Sequence, residues 1–192
     1  MTNVVEVAAI TVVDVTNFLT ASSASLEAFK TANLLKALSV SAIIIGARGT
    51  GKLTLARYIL PHAPVIDASN FDELLDSLEK HDAIIIHRID DISNLKRFEE
   101  TLARTKTRII ATGGFRFSHE QLENIFSIRL SIPSLSERPE DIALLSELFT
   151  KEAQETFGKT ASANSNEFLP DVSENALSLR RQVYLHCLLS SK

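Results

Sequence analysis

Along most of the chain, short runs of β-branched residues alternate with stretches whose apolar residues recur at helical spacing. Such runs are typical of strands, and helical spacing indicates amphipathic helices. The pattern predicts strands over residues 41–45, 64–67, 83–87, 108–112 and 128–132. It predicts helices before and between them, over residues 25–38, 52–60, 71–80 and 95–104. This alternation indicates an α/β domain in which a mostly parallel five-stranded sheet lies between two layers of helices.

Three of these strands are expected at the centre of the sheet. The runs at 41–45, 83–87 and 108–112 are apolar at several consecutive positions, as strands covered on both faces are. Residues 4–15 are also β-branched, but they alternate imperfectly. We therefore expect either an edge strand or a lead-in segment there.

The pattern changes after residue 132. Pro139 is predicted in the first turn of an amphipathic helix that continues to residue 157. The polar stretch 158–166 predicts a loop, and residues 173–190 predict a second helix. These changes divide the chain into a lead-in at 1–17, an α/β core at 18–137 and a helical lid at 138–192.

Composition narrows the class of protein. The chain has 192 residues, of which 45% are apolar, and its net charge of −4 excludes a polybasic nucleic-acid arm. No apolar run approaches the roughly 20 residues that a membrane span needs, and nothing at the N-terminus resembles a secretory signal. Cys187 is the single cysteine, and the histidines lack metal-ligand spacing. We expect a cytoplasmic protein without a disulfide or a protein-bound metal site.

One motif carries most of the chemical information. Residues Gly46, Ala47, Arg48, Gly49, Thr50, Gly51 and Lys52 follow a predicted strand and open a predicted helix, which is the required context of the GxxxxGK phosphate loop. Glycines allow the backbone to turn successive N–H groups towards an anion. The helix N-terminus adds its positive end. The motif predicts binding of ATP or ADP, with Lys52 reaching the β and γ phosphates.

The position after the motif departs from the common pattern. A Ser or Thr hydroxyl usually binds Mg²⁺ there, whereas this chain has Leu53. Thr54 follows one residue later, about 100° further round the helix. Both residues belong to the predicted nucleotide-binding segment, but the sequence leaves the need for Mg²⁺ open.

The loop and several flanking segments resemble the AAA+ module of NtrC-type sigma-54-dependent transcription activators. Residues 46–52 match the family's GESGTGK at five of seven positions. Residues 135–142, LSERPEDI, are similar to the LRERxEDI signature that introduces the family's lid, and residues 174–183 are similar to its GNVRELRNVI segment. The resemblance extends over about residues 18–190 and implies the AAA+ P-loop NTPase fold, with a C-terminal helical lid.

The resemblance also implies what this chain lacks. The family's Asp-Glu pair, which holds Mg²⁺ and polarises the attacking water, is replaced by His87 and Arg88. An arginine cannot act as a base near neutral pH. The same alignment puts the family's interface arginines at Ser118 and Asn124, its lid arginine at Leu177 and its polar sensor at Gly114. The resemblance therefore implies a degenerate module without catalytic residues.

Two further elements of the family are not found. The 35 residues from Lys52 to His87 are too few to carry the GAFTGA loop that engages sigma-54, and the chain ends after the lid segment. The resemblance thus implies a regulatory pseudo-ATPase that works through protein partners in transcription. We expect no sequence-specific DNA binding and no membrane partner.

Three alternatives stay open. If His87 and Arg88 face the phosphates, their charge could partly replace magnesium; otherwise Arg88 points to solvent or pairs with a carboxylate. An active Mg²⁺-dependent ATPase would survive if Asp90 and Asp91 held the metal. A third reading is a non-nucleotide interaction module that docks on another AAA+ protein or on the replication or transcription machinery. Oligomer formation is open in each case.

Overall fold

A computed structural model describes residues 3–7, 10–15, 18–114, 125–126, 128–157 and 169–190. The chain forms two compact units. The sheet unit comprises residues 27–46 and 52–132, and the helical unit comprises residues 1–26, 47–51 and 133–192. Contacts thus group the chain differently from the predicted boundaries at residues 17 and 137.

A five-stranded parallel sheet forms the centre of the sheet unit. Its strands are β4 (Ala42–Ile45), β5 (Val65–Asp67), β6 (Ala83–His87), β7 (Arg108–Gly113) and β8 (Ile128–Ser131). They lie in the order β5-β6-β7-β4-β8, and each neighbouring pair is parallel. The three strands predicted to be central are central, which their apolar runs require because both faces are covered.

Helices cover this sheet. They are α1 (Ser23–Ala37, continuing from the helical unit), α2 (Lys52–Ile59), α3 (Phe71–Lys80) and α4 (Leu95–Leu102). Alternate strand residues such as Ile43, Ile84 and Ile109 pack with α3 and α4 in one core cluster. The residues between them, such as Ile44 and Ile85, point to the other face and are also fully buried. The observed architecture is the predicted three-layer α/β/α arrangement.

The helical unit has its own core. It contains α5 (Pro139–Phe157) and α6 (Ala176–Ser190). Their apolar faces pack together in a cluster of Leu135, Leu145, Phe149, Ala153, Leu179, Val183 and Cys187. Cys187 is therefore a core residue. The predicted loop at 158–166 lies outside the described residues.

The N-terminal segment corrects one expectation. Residues Asn3–Val7 (β1), Ile10–Val15 (β2) and Phe18–Thr20 (β3) form a separate three-stranded antiparallel sheet, so these strands are not an edge of the parallel sheet. The backbone register pairs Val4 with Val13 and Val5 with Val12. Among the helices that the structure describes, none has both the length and the apolar character needed to cross a membrane.

Candidate functional site

The predicted phosphate loop connects β4 to α2. Gly49 has φ of +78° and Gly51 has φ of +99°, in the region that favours glycine because other residues clash there. Thr50 is buried, and its hydroxyl donates to the Ala47 carbonyl at 3.0 Å inside the loop. The two glycines therefore occupy the positions where the backbone needs them.

Lys52 is the first residue of α2. Its Nζ donates to the Gly46 carbonyl at 2.8 Å, which holds the ammonium against the start of the loop segment. Partial burial lowers the pKa of Lys52, and the negative charge of Asp90 opposes this lowering. Leu53 and Thr54 are both partly buried in the first turn of α2. Leu53 offers no oxygen to a cation.

Three successive backbone N–H groups of the loop lack a described partner. The N–H groups of Gly49, Thr50 and Gly51 make no hydrogen bond to any residue that the structure describes. Buried or half-buried N–H groups normally find an acceptor. Successive N–H groups with left-handed residues between them are typical of anion-binding nests.

His87 lies at the carboxyl end of β6, where sheet edges of this type bind ligands. Its Nδ1 is 3.1 Å from the hydroxyl oxygen of Thr112 on β7, and that oxygen accepts the Arg88 N–H at 3.2 Å. Burial lowers the pKa of the His87 imidazole, and the positive charges of Arg88 and Lys52 act in the same direction. The negative charges of Asp67 and Asp91 oppose this lowering, and the net effect favours the neutral imidazole.

Arg88 pairs with two carboxylates, which is one of the alternatives that the sequence left open. Its Nη2 donates to Asp67 Oδ1 at 2.8 Å, and its Nε lies 3.3 Å from Asp91 Oδ2. Hydrogen bonds from Arg88 and Ser69 hold the pKa of Asp67 well below its usual range. Of the two alternatives for Arg88, this pairing with Asp67 and Asp91 favours the one in which a carboxylate holds the guanidinium.

Asp90 lies in a short 3₁₀ turn after β6. Its Oδ2 accepts the Gly114 N–H at 2.7 Å, beyond the end of β7. Gly114, the position that the resemblance gave to a polar sensor, thus contacts Asp90 through its backbone. The polar side chain near the carboxyl end of β7 is Thr112, which is fully buried and lies beside His87. Asp91 instead pairs with Arg88.

Leu177 lies against the loop inside the helical unit, at the position that the resemblance gave to the lid arginine. A Cβ built on Gly49 would lie 3.2 Å from its Cγ and 2.2 Å from the Glu174 carbonyl oxygen. The loop and the 174–177 turn are therefore in close contact, and only glycine fits at residue 49. Ser118 and Asn124 lie outside the described residues.

Sequence reasoning did not single out a buried ion pair near the loop. Arg138 is 2% exposed, and its Nη1 lies 3.3 Å from Asp141 Oδ2. Asp141 also accepts the N–H groups of Ala21 and Ser22, at 2.6 Å and 2.9 Å. The signal was present in the LSERPEDI segment, which places an arginine and an aspartate three residues apart, but this spacing alone does not distinguish a buried pair from a solvated one.

Comparison with solved structures identifies the fold. NtrX from Brucella abortus, solved in complex with ATP, matches with a TM-score of 0.71 at 17% identity over 92% of this chain and 54% of its own. A DNA replication initiation factor matches with a TM-score of 0.65 at 16% identity, over 91% of this chain and 64% of its own. AMPPCP-bound DnaA from Aquifex aeolicus matches with a TM-score of 0.57 at 16% identity, over 85% and 62%.

These matches establish the architecture and no more, since all three identities are low. The chain spans about half the length of the NtrX chain it matches. No family model matches this chain, and no curated protein matches it significantly in sequence. The fold is that of the AAA+ P-loop NTPases.

Proposed function

We propose that this chain is a nucleotide-binding AAA+ module that holds the phosphates of ATP or ADP at Gly46–Thr54. The observation that carries the proposal is the loop itself, in which the two left-handed glycines before Lys52 have N–H groups that bond to no described residue. Backbone N–H groups, a helix N-terminus and a lysine are the groups that bind phosphate in loops of this kind. NtrX solved with ATP and DnaA solved with AMPPCP have the same fold, which supports this assignment.

The proposal includes loss of hydrolysis. Mg²⁺ prefers oxygen ligands in octahedral geometry, and the residues that replace the family's metal and water ligands are an imidazole and a guanidinium. Leu53 offers no hydroxyl, and Arg88 is held by Asp67 and Asp91. The residues at these positions do not fit a magnesium site. We therefore assign the module no metal-dependent step.

A second candidate is an active ATPase that uses Asp90. This carboxylate is held by the Gly114 N–H at 2.7 Å, and its charge acts on Lys52. A carboxylate so close to the phosphate-binding lysine favours a metal-holding role. Magnesium-dependent phosphate release by the wild type, lost in Asp90→Ala but retained in Asp76→Ala, would favour this candidate. We expect no release above the blank in any of the three proteins.

The regulatory part of the proposal rests on resemblance. The LSERPEDI and phosphate-loop segments support a role of sigma-54-activator type in transcription regulation, carried out in the cytoplasm through protein partners and without sequence-specific DNA binding. Oligomer formation, alone or with a complete AAA+ relative, belongs to the same proposal. If the wild type binds no nucleotide, the third candidate, a docking module whose phosphate loop is scaffolding, takes its place.

Ligand-induced stabilisation tests nucleotide binding. A ligand that binds only the folded state at a hundred times its Kd adds about 2.7 kcal/mol to stability. We expect ADP to raise the melting temperature of the wild type and of Arg57→Ala, which removes an exposed charge from the same helix. The Lys52→Ala protein should show no rise. An equal rise in Lys52→Ala would contradict the proposed site.

A further inference from the structure

Three successive carbonyls of the phosphate loop accept hydrogen bonds inside the helical unit. The Arg48 carbonyl accepts Asn175 Nδ2 at 2.7 Å, and the Gly49 carbonyl accepts the Ala176 N–H at 3.1 Å. The Thr50 carbonyl accepts Arg138 Nη2 at 2.9 Å. The loop backbone is thus held at three consecutive peptide units.

Because the peptide unit is planar, these contacts also fix the orientation of the N–H groups that follow each carbonyl. All described peptide bonds are trans, and in a trans peptide the C=O of one residue points opposite to the N–H of the next. Fixing the carbonyls of residues 48, 49 and 50 therefore fixes the N–H groups of residues 49, 50 and 51 on the opposite side. These are the N–H groups that make no described hydrogen bond.

The side chain of Asn175 is held at both ends of its amide group. It is 5% exposed, it has φ of +56°, and its Oδ1 accepts the Leu135 N–H at 2.6 Å while its Nδ2 binds the loop. A non-glycine residue in the left-handed region costs free energy, and asparagine tolerates it better than most. Both ends of the side chain amide are thus used, one on the loop and one on the segment before α5.

Arg138 is fixed in a similar way. Its guanidinium is buried, and it pairs with Asp141, whose carboxylate is in turn held by the N–H groups of Ala21 and Ser22. Its Nη1 also lies 3.3 Å from the Ser25 hydroxyl oxygen. The group that binds the Thr50 carbonyl therefore has little freedom to move away.

We propose that Asn175 and Arg138 are positioning residues, which hold the loop carbonyls so that the N–H groups of residues 49–51 are preformed as a nest for the phosphate chain of a nucleotide. This inference rests on the proposed function, because the proposed function supplies the nucleotide phosphates as the ligand of the nest. Neither side chain binds the nucleotide itself. Their removal raises the cost of ordering the loop, which appears as weaker binding.

The test uses Asn175→Gly, which tolerates the left-handed backbone and removes the side chain, and Asn175→Asp, which keeps the acceptor for Leu135 and loses the donor to Arg48. The matched control is Ser178→Ala. Ser178 is buried in the same turn and bonds Glu174, Asp171 and Asn175, but it makes no bond to the loop. Two quantities are measured well below the unfolding temperature.

The first quantity is the rate of tryptic cleavage after Arg48 in the protein without nucleotide. The Arg48 side chain is 80% exposed, so cleavage there reports opening of the loop. The second is the Kd for ADP. Loss of one hydrogen bond of about 1 kcal/mol corresponds to about a fivefold change. We expect cleavage to be about fivefold faster and ADP binding about fivefold weaker in both Asn175 variants, with both quantities unchanged in Ser178→Ala.

Each other outcome overturns the inference at a different step. Cleavage equal to that of Ser178→Ala would show that Asn175 does not hold the loop. Faster cleavage with an unchanged Kd would show that the held loop does not serve nucleotide binding. Weaker binding in Asn175→Asp alone would assign the effect to the added charge. Absence of ADP binding in the wild type would refute the proposed function and the nest's ligand, while the cleavage rates would still decide whether Asn175 holds the loop.

Discussion

Replacing Gly49 by alanine perturbs the loop at its tightest contact. The added Cβ would lie 2.2 Å from the Glu174 carbonyl oxygen, far inside van der Waals contact, at a residue whose φ is +78°. The neighbour is backbone and cannot rotate away. The 174–177 turn must therefore move, or residue 49 must leave the left-handed region.

Either response lowers the free energy of unfolding. The left-handed conformation costs a non-glycine residue about 1–2 kcal/mol. Moving the turn breaks the bonds from Ala176 N–H to Gly49 and from Asn175 to Arg48, each worth about 1 kcal/mol. We expect Gly49→Ala to lose about 3–4 kcal/mol of unfolding free energy.

Urea denaturation followed by circular dichroism measures this loss. Gly114→Ala is the matched control, because its Cβ would meet Asp90 Oδ2 at an ordinary 3.8 Å; it should change stability by less than about 1 kcal/mol. If Gly49→Ala proves as stable as Gly114→Ala, the contact between the loop and the 174–177 turn does not exist in solution.

Three further predictions concern charged groups. Asp141→Ala leaves Arg138 buried without its carboxylate and should lose about 3–5 kcal/mol in urea denaturation. Asp67→Asn should lower the unfolding free energy by up to about 1 kcal/mol at pH 7. The Arg88 hydrogen bond is the main reason that the pKa of Asp67 is lowered in the folded protein. The difference between the two proteins should therefore fade as the pH falls below the ordinary value of 3.8. Burial also lowers the pKa of His87 in the folded protein. As the pH falls below 6.5, the imidazole therefore binds a proton more readily in the unfolded chain than in the folded protein. Wild-type stability should decline in this pH range. His87→Gln should weaken that decline in denaturation series between pH 7.5 and 5.5, values chosen to bracket the ordinary pKa at about one unit on either side.

Each of these has a result that would count against it. Asp76→Ala removes an exposed carboxylate that pairs with Lys80 on the surface, and an equal loss in both variants would deny the special role of Asp141. A constant difference between wild type and Asp67→Asn down to pH 3 would contradict the lowered pKa. Parallel pH series for wild type and His87→Gln would show that another group titrates.

Much of the sheet unit could be predicted because its signals are local. The apolar runs at β4, β6 and β7 are long enough to indicate buried central strands, and the phosphate loop is a contiguous motif whose glycines have the expected conformations. The N-terminal sheet could not be assigned, because strand pairing depends on partners rather than on one segment's own pattern.

The contacts around the site were harder to predict for a related reason. Arg88 had two readings from sequence, and only the register of β5 beside β6, which puts Asp67 opposite His87, decides for the ion pair. The bond from Asn175 to the Arg48 carbonyl joins residues 127 positions apart. The resemblance aligned residues 174–183 with a lid segment, but alignment carries no information on which side chain amide holds the loop.

Calorimetric titration of the purified protein with ADP and ATP, with and without Mg²⁺, decides whether the loop binds nucleotide. We expect saturable binding by wild type and Arg57→Ala, of similar affinity with and without Mg²⁺, and no binding by Lys52→Ala. Absence of heat in the wild type under every condition, or equal binding by Lys52→Ala, would contradict this expectation.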